Sequence, residues 1–178
     1  MAVKENVMRQ IKVEKLVVQC CIGGEGDQLT KVAKVLNQLT DQTPSFGKSR
    51  LTVRGFGIRR GQKISAMCTV RGDKAMDIIE KALRVKSYSL PESCFSSNGN
   101  FGFGITEHID LGIKYDPAIG IFGMDFTIVL ARPGKRVAVR KHNQTAVGCA
   151  HKISKQDAID FTVQKFEVSV TTHKIHKM

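Results

Sequence analysis

Four cations on a glycine-hinged segment carry the first chemical signal in the sequence: Arg54, Arg59, Arg60 and Lys63, set among Gly55, Gly57 and Gly61. Guanidinium and ammonium groups so placed suit phosphate. Each cation that neutralises one releases condensed counterions, which yields affinity without base readout. They belong to a wider pattern. No acidic residue occurs from Gln42 through Gly72, a stretch that holds Lys48, Arg50, Arg54, Arg59, Arg60, Lys63 and Arg71. None occurs from Phe126 through Gln156 either, where Arg132, Lys135, Arg136, Arg140, Lys141, Lys152 and Lys155 stand. The chain carries 28 basic and 16 acidic residues, a formal charge of +12. Everything outside the two windows therefore has fourteen basic against sixteen acidic residues, a net −2. The excess is local, which favours a polyanionic partner over solubilising charge spread across a surface. A membrane surface would ask for an amphipathic basic helix, which neither window's pattern provides.

Other residue sets point to chemistry less well. Glu107, His108 and Asp110 could form an acid–base cluster, yet in an alternating strand Glu107 and His108 point to opposite faces. An RNA-modifying or hydrolytic enzyme would have to be built on them, and no set of nucleophile, base and oxyanion donors assembles elsewhere, so no catalytic residue is assigned. Cys149, His151 and His142 could hold zinc only at a spacing foreign to standard fingers, and no metal or cofactor is expected. Gly23-Gly24-Glu25-Gly26-Asp27 could offer helix N–H groups to a phosphate. However, Leu29 stands where a dinucleotide fingerprint has its third glycine, no Walker lysine follows, and Glu25 and Asp27 repel an anion, so a tight turn is the better reading. Arg54-Gly55-Phe56-Gly57-Ile58 matches the start of the RNP1 signature of RNA-recognition domains, but Arg59-Arg60-Gly61 continues it as a turn. Gly99-Asn100-Phe101-Gly102-Phe103-Gly104 suits either a close backbone approach to a ligand or a structural loop with buried rings. Cys20 and Cys21, in an apolar stretch, read as small core residues.

These residues need a scaffold. With 178 residues, 42% of them apolar, the chain can bury a core as a single domain over 1–178, with 168–178 as a flexible tail. No apolar run approaches the length of a bilayer span. The charged stretch Met1 to Lys12 lacks an apolar signal segment, so secretion is not expected. Five cysteines without a C-x-x-C pair fit a reducing compartment. Val13 to Ile22 predicts a largely buried strand, and Asp27 caps a helix with Leu29, Val32, Ala33, Leu36 and Leu39 on one face. Asp41 to Ser49 is turn-rich. Arg50 to Arg54 and Lys63 to Arg71 alternate as two strands of a hairpin whose long basic tip is Gly55 to Gly61. Asp73 caps a second helix with Ala75, Met76, Ile79 and Leu83 inward. Ser87 to Phe103 reads as a loop, Ile105 to Ile113 as a third sheet region, Met124 to Ala131 as a late strand and Arg132 to Lys152 as an extended basic loop. Ser154 and Asp157 form a capping box for a last helix with Ala158, Phe161 and Phe166 apolar. The outcome is an α+β fold with a β-α-β-β-α-β core. Its helices pack on one face of a mostly antiparallel sheet, which leaves the other face and the hairpin tip for a partner.

Several runs also resemble a known family. Leu39-Thr40-Asp41-Gln42-Thr43-Pro44, Gly57-Ile58-Arg59-Arg60, Cys68-Thr69-Val70-Arg71-Gly72 and above all Gly99 through Asp125 are similar to the universal 5S-rRNA-binding protein of the large ribosomal subunit, L-five in bacteria and L-eleven in the eukaryotic cytosol. The likeness covers roughly residues 8–166, and Gly57 to Arg60 and His151 to Ser154 resemble the eukaryotic form more than the bacterial one. The resemblance implies a structural, non-catalytic role in the central protuberance. It implies as partners 5S rRNA, adjacent large-subunit rRNA, P-site tRNA, neighbouring ribosomal proteins and a small-subunit bridge protein, with no membrane. It also implies the cytoplasmic ribosome as location, after assembly in the nucleus and nucleolus of a eukaryote. By the same resemblance, with the basic windows, rRNA would be bound by Gln42, Thr43, Pro44, Lys48, Arg50, Arg71, Arg132, Lys135, Arg136, Arg140 and Lys141. The tRNA-facing loop would comprise Arg54, Phe56, Gly57, Ile58, Arg59, Arg60 and Lys63. Two departures stand out: Asp41 occupies a common glycine position, where it would alter the backbone or repel a phosphate beside Gln42, and Gly24-Glu25-Gly26 differs from the usual turn. Val168 to Met178 does not match. A free-standing regulatory module that binds RNA or an acidic protein is the competing reading.

Overall fold

The computed structural model describes residues 6–23 and 26–171. Alternation decides its centre. In β1 (Lys12–Cys21), Leu16, Val18 and Cys20 are buried, whereas Val17 and Gln19 between them are half-exposed. Around it, β2 (Ser45–Lys48), β3 (Lys63–Val70), β5 (Phe101–Ile105) and β6 (Met124–Ala131) build a five-stranded sheet in the order β2-β3-β1-β6-β5. Every neighbouring pair in it is antiparallel. Register then stacks the inward rows: Val70, Leu16, Ile128 and Phe101 form one, and Cys68, Val18, Phe126 and Phe103 the next. Rings of Phe103 and Phe126 stack at 5.8 Å between centroids.

Two amphipathic helices close this face. In α1 (Asp27–Thr40) the buried residues are Leu29, Val32, Val35, Leu36 and Thr40. In α2 (Asp73–Val85) they are Ala75, Ile78, Ile79, Ala82 and Leu83. The periodicity is that of a helix against a sheet, and burying each large side chain contributes about 1.5–3 kcal/mol. Asp27 and Asp73 are first-turn residues rather than caps; Gly26 and Gly72, both with positive φ, hold the cap positions. The acids still face the positive end of the helix dipole. In α3 (Lys155–Phe166) the capping box is complete: Asp157 N–H donates to Ser154 Oγ at 3.2 Å and Ser154 N–H donates to Asp157 Oδ2 at 3.1 Å. A short parallel pair, β4 (Ser89–Pro91) with β7 (Ser169–Thr171), lies beside the main sheet.

Several expectations are corrected. Arg50 to Arg54 is not a strand, because no neighbour covers its alternating apolar residues: Leu51 is 71% exposed. The edge strand lies earlier, at Ser45–Lys48, within the stretch read as a loop. Phe101–Ile105 is a strand although its sequence reads as a loop up to Phe103; Phe101, Phe103 and Ile105 are buried on one side. Gly102 is small for a reason, since a Cβ there would come within 2.9 Å of the Phe126 carbonyl oxygen. This answers the open reading of the glycine run in favour of packing. Ile105 to Ile113 is not a further sheet region; beyond Ile105 it turns into a 3-10 segment, His108–Leu111. Cys20 is core, but Cys21 is exposed on the other side of β1. The expected flexible tail begins with packed residues: Val168 is buried and Ser169–Thr171 forms β7. Residues 172–178, and Gly24 and Glu25 of the first turn, lie outside the described residues.

Candidate nucleic-acid interface

The antiparallel register separates the two basic windows. Cys21 pairs with Ser65, so the end of β1 meets the start of β3 and the loop 49–62 that precedes it. Lys12 pairs with Ala131, so the beginning of β1 meets the end of β6 and the segment 132–152 that follows. The windows therefore sit at opposite ends of a ten-residue strand, about 30 Å apart at some 3.3 Å per residue. Arg71 changes company: Val70 pairs with Leu16, which puts Arg71 at the 132–152 end, where its Nη1 donates to the Glu14 carbonyl at 3.4 Å. Gln42, Thr43 and Pro44 precede Ser45, the partner of Met67, and lie toward that end too, whereas Lys48 pairs with Lys63 at the loop end.

The loop is built rather than slack. Ser49 N–H donates to Gln62 O and Gly61 N–H donates to Ser49 O, each at 2.8 Å, which extends the hairpin beyond the strands. Further out, Val53 and Ile58 exchange N–H···O bonds at 2.9 and 3.1 Å around a 3-10 turn, Arg54–Phe56, that ends on Gly57 at φ 66°. A β-carbon is disfavoured at that angle. Arg60 N–H donates to Thr52 Oγ1 at 3.1 Å and Arg59 N–H to Gln62 Oε1 at 2.9 Å. So the backbone's polar groups are largely consumed, and the side chains project. Arg50, Arg54, Arg59 and Arg60 are exposed and, among the described residues, make no ion pair. Phe56 is 78% exposed at the turn, and Gly57, Arg59, Arg60, Gly61 and Gln62 line a recess of about 450 Å³. Lys63 Nζ lies 5.2 Å from the Phe46 ring centroid, a cation–π contact. This turn geometry is not the RNP1 strand. It is an arginine cluster with an exposed ring, suited to phosphates and to a stacked base.

At the other end the basic residues divide. Arg132 is mostly buried: Nη2 reaches Asp157 Oδ2 at 3.2 Å, and Nη1 donates to the carbonyls of Lys152 at 3.3 Å and Ala150 at 3.5 Å. It holds the 149–153 segment against α3, so the reading of Arg132 as an RNA contact does not fit its position. Lys135 pairs with the Glu14 carboxylate and remains partly exposed. Arg140 Nε donates to Asn143 O at 2.9 Å, while Arg136, Arg140 and Lys141 are all exposed. Arg9 and Lys12 join this end, Arg9 Nη1 donating to Ala150 O at 3.4 Å. The charge windows missed them because Glu14 lies close in sequence, and only strand pairing could reveal the association. Asp41 is not a bare repulsive charge beside Gln42, since it forms an ion pair with Lys74.

The remaining candidates disperse. His108 is buried, its Nδ1 accepting from Phe122 N–H at 3.2 Å, while Glu107 is exposed, so no acid–base cluster forms. His151 Nε2 donates to Pro133 O at 2.8 Å. Among the described residues no group of three metal-ligating side chains converges, and no helix is long and apolar enough to cross a membrane.

Sequence comparisons complete the picture. A family model described as the C-terminus of the ribosomal L5 family matches residues 63–161, and one described as ribosomal protein L5 matches residues 6–59. The first holds β3, β5 and β6 and the second β1 and β2, so the two matched segments share a single sheet. Relatives described as large ribosomal subunit protein uL5 include one from Dictyostelium discoideum, 57% identical over 89% of this chain and 78% of its own length. One from Tetrahymena thermophila is 53% identical over 94% and 97%, and one from Chlamydomonas reinhardtii 52% identical over 90% and 94%.

Proposed function

This chain belongs to the ribosomal protein L5 family, and from that premise we propose how its basic residues divide the labour of a structural, rRNA-binding constituent of the large ribosomal subunit. It is not an enzyme. Its role is to hold RNA in place, and the chain 1–178 serves as one unit in doing so. In the central protuberance, 5S rRNA and adjacent large-subunit rRNA are held by Gln42, Thr43, Pro44, Lys48, Arg50 and Arg71 together with Lys135, Arg136, Arg140 and Lys141. The tip, with Arg54, Phe56, Gly57, Ile58, Arg59, Arg60 and Lys63, faces P-site tRNA. A further face contacts neighbouring ribosomal proteins and a small-subunit bridge protein, in the cytoplasm after nucleolar assembly.

One observation carries the tip assignment: a hydrogen-bonded loop presents three exposed arginines, Arg54, Arg59 and Arg60, that no carboxylate among the described residues engages. A backbone fixed in advance limits the entropy lost when phosphates are bound, and unpaired guanidinium groups give up no ion pair to bind them. Sucrose-gradient sedimentation of the tagged chain from cells tests the assignment to the subunit. It is expected to travel with large subunits and with full ribosomes and to be released with 5S rRNA on EDTA treatment. A chain that stayed at the top of the gradient would refute the reading.

A further inference from the structure

A cleft of about 690 Å³ opens at the second basic end, between the 97–100 turn, the end of β6 and the 146–154 segment. Its lining combines two chemistries. Leu130, Val147 and Ile153 give it an apolar floor, while Asn98 and Lys152 supply donors around it. Arg132 is committed to Asp157 and two carbonyls and braces the wall of the cleft. Asn98 is exposed, and neither it nor Lys152 makes a side-chain hydrogen bond or ion pair among the described residues. A phosphate track alone needs no apolar floor, and an apolar protein side chain gains nothing from cations and an amide around it. The combination suits a nucleotide, with the base on the floor, its edge toward Asn98 and its phosphate toward Lys152.

Resting on the rRNA-binding reading above, we propose that this cleft receives one unpaired nucleotide of the bound rRNA, turned out of its stack. An unpaired nucleotide is the appropriate guest because its extrusion costs least. The volume lies within the range of ordinary small-molecule pockets. The cleft therefore reads a base at the end of the protein where the surrounding cations only neutralise backbone.

Two readouts with the full chain and purified large-subunit rRNA, 5S included, test this. Cys149 is exposed in the cleft lining, and Cys21 is exposed at the far end of β1, so peptide-resolved alkylation by iodoacetamide can compare them. Bound rRNA is expected to slow alkylation of Cys149 severalfold. In parallel, Ala146→Trp fills the cleft from an exposed loop position and should weaken rRNA binding about tenfold, the scale of one set of base-edge contacts. Its salt slope should fall by no more than about one, through the Lys152 contact, whereas Asn98→Ala should weaken binding with the slope unchanged. Lys141→Ala, a backbone contact, should instead lower the slope by about one. If Lys141→Ala behaves so while Ala146→Trp binds as tightly as the parent and Cys149 stays reactive, the cleft proposal falls and the RNA-binding reading stands. If the parent chain does not bind rRNA, both fall. Protection of Cys149 only when other ribosomal proteins are added would also overturn the nucleotide and point to a protein contact.

Discussion

Replacing Arg132 by alanine should damage the fold and leave RNA electrostatics alone, although Arg132 lies in the middle of a basic window. Its side chain is only 11% exposed, and the change removes an ion pair at 3.2 Å and two longer bonds to the Ala150 and Lys152 carbonyls. Hydrogen bonds to charged groups contribute about 1.5–3 kcal/mol each at good geometry. Here two are long, and Asp157 is 38% exposed, so solvent screens the pair. Loss of the packed aliphatic stem adds to the damage. The total comes to about 2–3 kcal/mol. For a domain of this size each kcal/mol shifts the melting temperature by about 2–4 °C, hence a drop of roughly 5–10 °C. Differential scanning fluorimetry reads that, and a titration of rRNA binding against salt reads the number of phosphate contacts. Arg132→Ala should lower the melting temperature and keep the parent's salt slope below it. Arg136→Ala, at an exposed position, should do the reverse, losing about one unit of slope. An Arg132→Ala chain that melts like the parent but loses a unit of slope would show the guanidinium to be a phosphate contact and the structural argument to be wrong.

The roles assigned to the basic residues and the local chemistry give three more expectations. Lys48→Ala with Arg50→Ala should weaken 5S-containing rRNA binding and cut the salt slope by about two, whereas Arg59→Ala with Arg60→Ala should spare 5S binding and impair tRNA-dependent translation; equal loss of 5S affinity in both would refute the division. Ser154→Ala removes the acceptor for Asp157 N–H and should cost about 1 kcal/mol in urea unfolding, with no change in RNA binding at low denaturant. Burial pushes the Cys20 thiol up to about 11 from 9.0, with Cys21 and Asp125 adding to the effect. Since the folded value is the higher one, the unfolded chain loses its proton first, and this contribution to stability, intact below pH 9, falls away between pH 9 and 11 by about 2–3 kcal/mol. Cys20→Ala should flatten that part of the stability–pH profile, and an unchanged profile would contradict it.

Elements whose local signals agreed with their environment were legible in the sequence. Met124 to Ala131 alternates cleanly and is β6, and Ser154 with Asp157 opens α3 as its spacing says. The misreadings have physical causes. Leu51 and Val53 alternate like a strand, but alternation reports only potential burial, and both side chains stay exposed. Phe101 to Ile105 hid behind Gly102 and Gly104, residues with poor strand propensity that are nevertheless needed where a neighbouring backbone or side chain comes close. At the interface, charge counting found the loop arginines, whose exposure follows from having no apolar neighbours to cover them. It could not tell Arg132 from Arg136, because the difference lies in Asp157 and two carbonyls that only folding brings near. Nor could it move Arg71 from one basic group to the other, which depends on strand register.

The central position of β1 has a consequence for how the chain is made. Lys12–Cys21 leaves the ribosomal exit tunnel before either neighbour, for one flank waits for Lys63–Val70 and the other for Met124–Ala131. Until then a strand rich in valine and cysteine has unpaired edges, a template for wrong pairings. Closure across so many intervening residues is also slow. The late strand thus acts as a completion signal. Nascent chains truncated before residue 124 should be captured by chaperones or aggregate, and those extended past residue 131 and clear of the tunnel should become protease-resistant. Until β6 docks, the two ends that bind RNA have no fixed distance between them, so synthesis itself delays when this protein can grip its ribosome.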